Sequence, residues 1–81
     1  MKIDAKIIFS KEVADKLDRS WIRVPVDIDY VESNEDSIKE WVMNELNEVF
    51  NQAFCYEDFE ITNMDEIFEE IDFNEFENKT N

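Results

Sequence analysis

Carboxylates are the only abundant reactive side chains in this sequence, and they are concentrated in its second half. Residues 40–78 hold thirteen Asp and Glu and no Lys or Arg, whereas residues 1–39 hold nine acidic and seven basic residues. The whole chain carries a net charge of −14. A surface that only needed solubility would intersperse both signs. The pattern predicts a surface of strong negative potential for a cationic partner, and the alternative is a solvated face that serves solubility alone.

Helical spacing would arrange these carboxylates in rows. Asp65 with Glu69, and Glu66 with Glu70, are four residues apart, so their Cβ atoms would lie about 5–6 Å from each other on a helix. Successive phosphates along one nucleic-acid strand are roughly 6–7 Å apart, so such rows can imitate a short stretch of backbone. The predicted partner-binding residues are Glu57, Asp58, Glu60, Asp65, Glu66, Glu69, Glu70, Asp72 and Glu75, with Phe73 and Phe76.

Aromatic side chains beside the acidic run are candidate anchors for the partner. Trp41, Tyr56, Phe73 and Phe76 lie off or beside the predicted core positions. A few buried aromatic anchors commonly supply most of the affinity of an interface. For each of the four residues the alternative is packing against the domain's own core.

Most catalytic and cofactor-binding arrangements are excluded by composition. The chain has no His, so the commonest general base and transition-metal ligand is missing, and it has no Gly for a phosphate-binding loop. The single cysteine, Cys55, is interpreted as a small buried hydrophobic residue and not as a reactive thiol. One segment faintly resembles a calcium loop, but it lacks the central Gly and has Ile38 at the twelfth position; its oxygen-bearing residues are Asp27, Asp29, Glu32, Asn34 and Asp36. We therefore expect no enzyme activity, no metal and no cofactor.

Two segments alternate as strands do. In residues 2–9, Ile3, Ala5, Ile7 and Phe9 share one face, which predicts a strand with one buried side. Residues 21–31 alternate in the same way, with Ile22, Val24, Val26, Ile28 and Tyr30 on one face. Pro25 places this second strand at a sheet edge or at a bulge. A short third strand is predicted around Phe59 and Ile61.

Three helices are predicted from apolar spacing and capping residues. Ser10 caps a short helix containing Val13 and Leu17. A long helix extends to about Gln52, and it starts either at Ser37 with Glu40 or at Ser33 with Asp36. Asn63 caps the last helix. The expected core positions of the two longer helices are Ile38, Val42, Leu46, Val49, Phe50 and Ala53, then Met64, Ile67, Phe68 and Ile71.

This order of elements predicts an α+β fold, in which a small three-stranded, mainly antiparallel sheet has two main helices packed on one face. The 81 residues suffice for a single domain, 1–81, in which residues 72–81 are a candidate flexible acidic tail. The chain lacks the apolar run of a membrane span and the pattern of a signal peptide, so a cytoplasmic monomer or small homo-oligomer is expected.

The chain resembles small phage-encoded DNA mimics, the anti-CRISPR and anti-restriction inhibitors. The resemblance rests on its length, its charge, the Gly-free helix 40–52 and the acidic run 57–77. The resemblance is one of style, with no motif matched residue by residue. It implies a non-enzymatic inhibitor that blocks the basic nucleic-acid-binding site of a host nuclease. Two alternatives stay open: an antitoxin or immunity-type protein covering one toxin nuclease, and an accessory phage protein that is acidic only for solubility. Direct nucleic-acid binding is not expected, because phosphate contacts need clustered Lys and Arg.

Overall fold

The chain folds into a three-stranded sheet with three α-helices, which confirms the predicted α+β class. The computed structural model describes the backbone of residues 1–79 and the side chains up to Phe73. The elements follow one another as β1 (Lys2–Phe9), α1 (Lys11–Leu17), β2 (Trp21–Asp27), α2 (Glu35–Phe50), a 3₁₀ turn (Tyr56–Asp58), β3 (Phe59–Ile61) and α3 (Met64–Lys79).

The sheet has the order β2-β1-β3, and both pairs are antiparallel. The predicted alternation is confirmed, because Ala5, Ile7 and Phe9 of the central strand are buried while the residues between them are exposed. α2 packs on β2, and α1 and α3 pack on β1. The core therefore lies between one face of the sheet and the helices, and the opposite face of the sheet carries no helix of the described chain.

β2 is an edge strand, as Pro25 indicated, but it is shorter than predicted. It ends at Asp27 because a turn follows, in which the Asp27 side chain accepts a hydrogen bond from Asp29 N (3.1 Å) and its carbonyl accepts one from Tyr30 N (3.0 Å). The expectation that Tyr30 shares the buried face is wrong, since this side chain is 77% exposed. Ile28 remains buried, and its N–H donates to Met1 O.

Proline is tolerated at position 25 because the backbone groups of this residue point away from β1. It pairs with Asp4, and its carbonyl faces away from β1 and accepts a hydrogen bond from Trp41 Nε1 at 3.0 Å. In an antiparallel pair the N–H of a residue points to the same side as its C=O. The missing N–H of Pro25 therefore costs no bond within the sheet, and α2 covers the strand edge at this point.

Neither predicted start of α2 is correct. The N-cap is Asn34, whose Oδ1 accepts a hydrogen bond from Ser37 N at 2.8 Å. The Ser37 hydroxyl accepts instead from Glu32 N at 2.9 Å, so it holds the preceding loop. Asn is among the strongest N-cap residues, and here it takes the position that Ser33 and Ser37 were expected to compete for.

The carboxyl end of α2 also differs from the prediction. The helix ends at Phe50, and Asn51 adopts the left-handed conformation at φ 52°. Ile38, Val42 and Leu46 are buried as expected, but Val49 and Ala53 are exposed.

Phe54 fills the space that these two residues were expected to fill. Its N–H donates to Asn47 Oδ1 at 2.7 Å, and its ring lies 6.1 Å from the ring of Phe9 and 5.7 Å from that of Phe50. The reversal of the chain after Asn51 thus replaces a further helical turn with a cluster of three phenylalanines.

Asn63 precedes α3 as predicted, but its side chain mainly continues the sheet. Its Oδ1 accepts a hydrogen bond from Lys6 N at 2.8 Å, and its Nδ2 donates to Asp4 O at 2.9 Å. β3 ends at Ile61, so the carboxamide takes the place of the next strand residue beside β1. This pairing fixes where the helix starts relative to the sheet.

We expect Trp41→Phe to lower the free energy of unfolding by about 1 kcal/mol, the typical net contribution of one hydrogen bond, because it removes the donor to Pro25 O. Urea unfolding followed by far-UV circular dichroism measures this change. Trp21→Phe is the matched control, because Trp21 is 58% exposed and should change stability by less than about 0.5 kcal/mol. Equal effects of the two substitutions would contradict the role given to Trp41.

We expect Asn63→Ala to destabilise the protein by roughly 1–3 kcal/mol, because it leaves Lys6 N and Asp4 O without their partner. Asn44→Ala, on the exposed face of α2, is the control and should be neutral within about 0.5 kcal/mol. Amide hydrogen exchange adds a local readout, since Lys6 N–H should lose protection in the Asn63 variant only. Unchanged protection at Lys6 would show that the carboxamide does not continue the sheet.

Candidate functional site

α3 presents most of the predicted acidic residues on its outer side. Ile67 and Ile71 are buried against the sheet, and Met64 and Phe68 are half-buried beside them. The remaining positions form two rows along the helix by the i, i+4, i+7 relation. The first row is Asp65, Glu69 and Asp72, and the second is Glu66, Glu70 and Phe73. We call the two rows together the acidic helix face.

Phe73 is the apolar member of the acidic helix face. It is 58% exposed, and Glu69 and Glu70 lie one turn before it on the same side of the helix. A large exposed ring among carboxylates contributes nothing to the described core. Phe73 is therefore the exposed apolar residue of the acidic helix face.

The carboxylates of the acidic helix face have no basic partner among residues 1–73. The ion pairs in this part of the chain join the Met1 amino group to Asp27 (3.6 Å) and to Asp29 (2.9 Å). The hydrogen bond to Asp29 raises the pKa of that amino group. On α3 the polar contacts are weak: Asp72 accepts a 3.4 Å bond from the Ser33 hydroxyl, and Glu66 one of the same length from Asn63. The face is therefore charged and open to a partner.

Glu66 differs from the other acidic residues of α3 in its surroundings. It lines a shallow depression with one other carboxylate, Asp4, and with three cations, Lys2, Lys6 and Arg23, although it forms no ion pair with any of them. These cations lower the negative potential near the start of α3. The strongest negative potential is therefore expected along the first row and around Glu70.

The structure separates the predicted residues before α3 from those on it. Glu57 and Asp58 lie in the 3₁₀ turn, where Ser10 N donates to Asp58 O, whereas α3 begins beside Asp4 and Lys6. Asp58 and Asn63 are five residues apart, so at about 3.4 Å per strand residue they lie roughly 17 Å apart along the sheet. Asp58 also accepts a 2.8 Å hydrogen bond from Cys55 N, so its carboxylate holds the turn. Glu60 points to the open face of the sheet.

The other residues singled out in the sequence differ in how far they are exposed. Trp41 is half-buried, packs on the core and donates a hydrogen bond to Pro25 O, which agrees with the alternative that it packs against the domain's own core. Tyr56 is 47% exposed. Cys55 is exposed, so the interpretation as a buried hydrophobic residue is wrong. Residues 72–79 continue α3, and the side chains of Glu75 and Phe76, like residues 80–81, lie outside the described residues.

One surface was missed by sequence reasoning: the open face of the sheet, which includes Lys6, Arg23 and the exposed Trp21. Arg23 lies over the Trp21 ring at 5.8 Å from its centroid. The alternation that predicted the buried face also defines these opposite positions. Whether a helix covers them could not be read from the alternation.

No three carboxylate or thiol groups converge as metal ligands within the described part of the chain. Likewise, none of its described helices is long and apolar enough to cross a membrane. No family model matches the chain, and no curated protein or solved structure matches it either.

The crowding of unpaired carboxylates on α3 predicts a salt-dependent stability. The midpoint of thermal unfolding should rise when NaCl is raised from about 10 mM to about 150 mM, because the Debye length falls from roughly 30 Å to roughly 8 Å. A gain of about 1 kcal/mol would raise the midpoint by about 4–8 °C in a domain of this size. A flat midpoint measured by circular dichroism would contradict this account.

Neutralising pairs of carboxylates at low salt shows whether the repulsion between charges is concentrated on α3. Glu69→Gln with Glu70→Gln should stabilise the protein, because each charge lies one turn from another carboxylate and outside the first turn of α3. Glu12→Gln with Asp15→Asn in α1 is the matched control, since Lys11 and Lys16 flank that pair and its neutralisation removes attraction instead. Equal effects of the two pairs would show that repulsion is not concentrated on α3.

Proposed function

We propose that this protein is a non-enzymatic inhibitor whose acidic helix face occupies the basic nucleic-acid-binding site of another protein. The observation that supports the proposal is the set of carboxylates on the outer side of one helix, four of them exposed and Glu70 half-buried, without a lysine or arginine partner among residues 1–73. Carboxylates spaced by helical turns offer a cationic groove a pattern of charges similar to that of a phosphate backbone.

Long-range attraction would make the association fast. A net charge of −14 on 81 residues gives a potential that steers the chain toward a cationic groove and orients it with α3 forward. Such steering commonly raises association rates by orders of magnitude at low salt. The carboxylates then replace the counterions and water of the groove.

Charge alone gives limited affinity, because exposed ion pairs contribute little. Phe73 supplies the apolar contact, since burial of its ring in the groove would stabilise the complex by about 1.5–3 kcal/mol. The carboxylates of Glu69 and Glu70 flank the ring and would meet the basic residues around the pocket. The contact thus has a buried centre and a charged rim, as binding hot spots usually do.

The partner class follows from this chemistry and from the resemblance to anti-CRISPR and anti-restriction inhibitors. A host nuclease, most directly a CRISPR effector or a restriction enzyme, holds DNA in a groove lined by Lys and Arg. The chain would compete with DNA for that groove and would need no catalytic group.

The test compares charge reversals of equal size on two helices. The chain is immobilised, and nucleic-acid-binding proteins enriched on heparin from its host cells are passed over it. Asp65→Lys with Glu69→Lys should weaken binding of the captured protein by about tenfold or more, the effect of losing close charge pairs. Calorimetry with the purified partner measures the change, and duplex DNA should displace the chain.

Glu12→Lys with Asp15→Lys is the control, because it changes the net charge equally but lies on exposed positions of α1. It should retain most of the affinity. Equal losses from the two double variants, binding that does not weaken between low and high salt, or a captured protein that holds DNA and the chain together would each refute the proposal. Phe73→Ala should weaken binding without changing its salt dependence.

A further inference from the structure

The negative charge of the acidic helix face is concentrated in its first row. The three carboxylates of that row are exposed and lie one helical turn apart, with about 5–6 Å between successive Cβ atoms. The second row is weaker, because Glu66 lies in a depression that also holds three cations and one other carboxylate, and because Glu70 is half-buried. The surface of α3 therefore presents one main line of charge to a partner.

The ring of Phe73 lies beside this line of charge. Glu69 and Glu70 precede it by four and three residues, so their Cβ atoms are about 5–6 Å from the Cβ atom of Phe73. The side chain is 58% exposed, although burial of a phenylalanine in a core is strongly favourable. The packing of the described residues therefore does not account for an aromatic ring at this position.

A nucleic-acid duplex and a single strand differ in how they combine charges and rings. In a duplex the phosphates form two lines, and the bases are stacked between them with only their edges accessible in the grooves. In a single strand the phosphates form one line, roughly 6–7 Å apart, and unstacked bases project from it. One line of carboxylates with one exposed ring beside it matches the single strand more closely.

We propose that the acidic helix face imitates a short single strand, and that its partner holds unpaired nucleotides in its groove. Such grooves combine basic residues that follow the backbone with aromatic side chains on which bases stack. The first row meets the basic residues, and Phe73 stacks on an aromatic side chain in the place of a base. This inference rests on the proposed function and narrows its class of partner.

The length of the acidic helix face sets the size of the imitated segment. From Asp65 to Phe73 the helix rises about 12 Å, at about 1.5 Å per residue. An extended strand with phosphates roughly 6–7 Å apart covers this length with about two nucleotides. In so short a segment the single ring carries a large share of the affinity, because loss of one stacked base commonly weakens binding by about tenfold.

Displacement of the chain from its partner tests the preference for a single strand. The partner is the nucleic-acid-binding protein captured on the immobilised chain. The competitors are an oligothymidine of about 12 nucleotides, within the usual site size of single-strand grooves, and a duplex of the same length. The duplex competes by charge alone, whereas the oligothymidine also occupies the aromatic side chains of the groove. The oligothymidine should therefore displace the chain at an about tenfold lower concentration.

The outcomes of this competition separate the two proposals. Displacement by the duplex at an equal or lower concentration would overturn the single-strand inference and leave the proposed function standing. A chain that captures no nucleic-acid-binding protein, or that neither competitor displaces, would refute both.

Substitution of the ring tests whether Phe73 stacks or only fills an apolar pocket. Phe73→Leu keeps a large apolar side chain but removes the aromatic face, so it should weaken binding of the captured partner by about tenfold. Phe73→Trp should restore the affinity, because the larger ring stacks at least as well. Calorimetry measures both changes, and circular dichroism verifies that the variants are folded.

Trp21→Leu is the matched control for the loss of an aromatic ring. Trp21 is also 58% exposed, but it lies on the open face of the sheet, away from the acidic helix face. It should leave the affinity unchanged. If Phe73→Leu binds as tightly as the original chain, or if Trp21→Leu weakens binding as much as Phe73→Leu does, the imitation of a base is overturned.

Discussion

The structure depends on covering one face of a small sheet while leaving every carboxylate of residues 1–73 in contact with water. Ala5, Ile7 and Phe9 of the central strand can be buried only if the helices cover them, and the described core contains no buried polar or charged residue. Burial of an unpaired carboxylate costs several kcal/mol, so the described acidic residues of α2 and α3 are forced outward. The apolar core therefore concentrates charge on the outer sides of the helices.

This constraint produces two surfaces of different character. The helical side carries the acidic helix face, whereas the bare side of the sheet carries cations and two exposed apolar side chains. The three strands place Lys6 and Arg23 side by side on the face of the sheet opposite the helices, and neither forms an ion pair with Glu69 or Asp72. These two cations of the sheet therefore do not neutralise the described carboxylates of α3. Glu66, which lines a depression with Lys2 and Lys6, marks the place where the two surfaces meet.

Asparagine side chains also form hydrogen bonds with backbone groups that would otherwise lack a partner. Asn34 caps α2, Asn47 holds Phe54, and Asn63 continues the sheet beside β1. In a chain without glycine, the two described positive-φ residues are Asp18 and Asn51, each at the end of a helix. Asn and Asp adopt this conformation more readily than other residues with a side chain. Polar residues thereby make the turns that glycine would otherwise make.

The sequence by itself determined the order of the elements and the face that each strand buries, and it restricted β2 to a sheet edge or a bulge. These features depend on local periodicity and on the missing N–H of Pro25, both of which are visible in the residues. The rows of Asp65 and Glu69 and of Glu66 and Glu70 were equally predictable, because helical spacing alone creates them.

Only the tertiary structure decided which surfaces stay uncovered and which distant residues meet. It ended α2 at Phe50 because Phe54 could return to pack on Phe9, and it made Asn63 pair with β1 because β3 is too short. It also separated Glu57 from α3 by the length of β3 and left Trp21 exposed on the bare sheet. Contacts between residues far apart in the chain decide these features, and no local pattern carries that information.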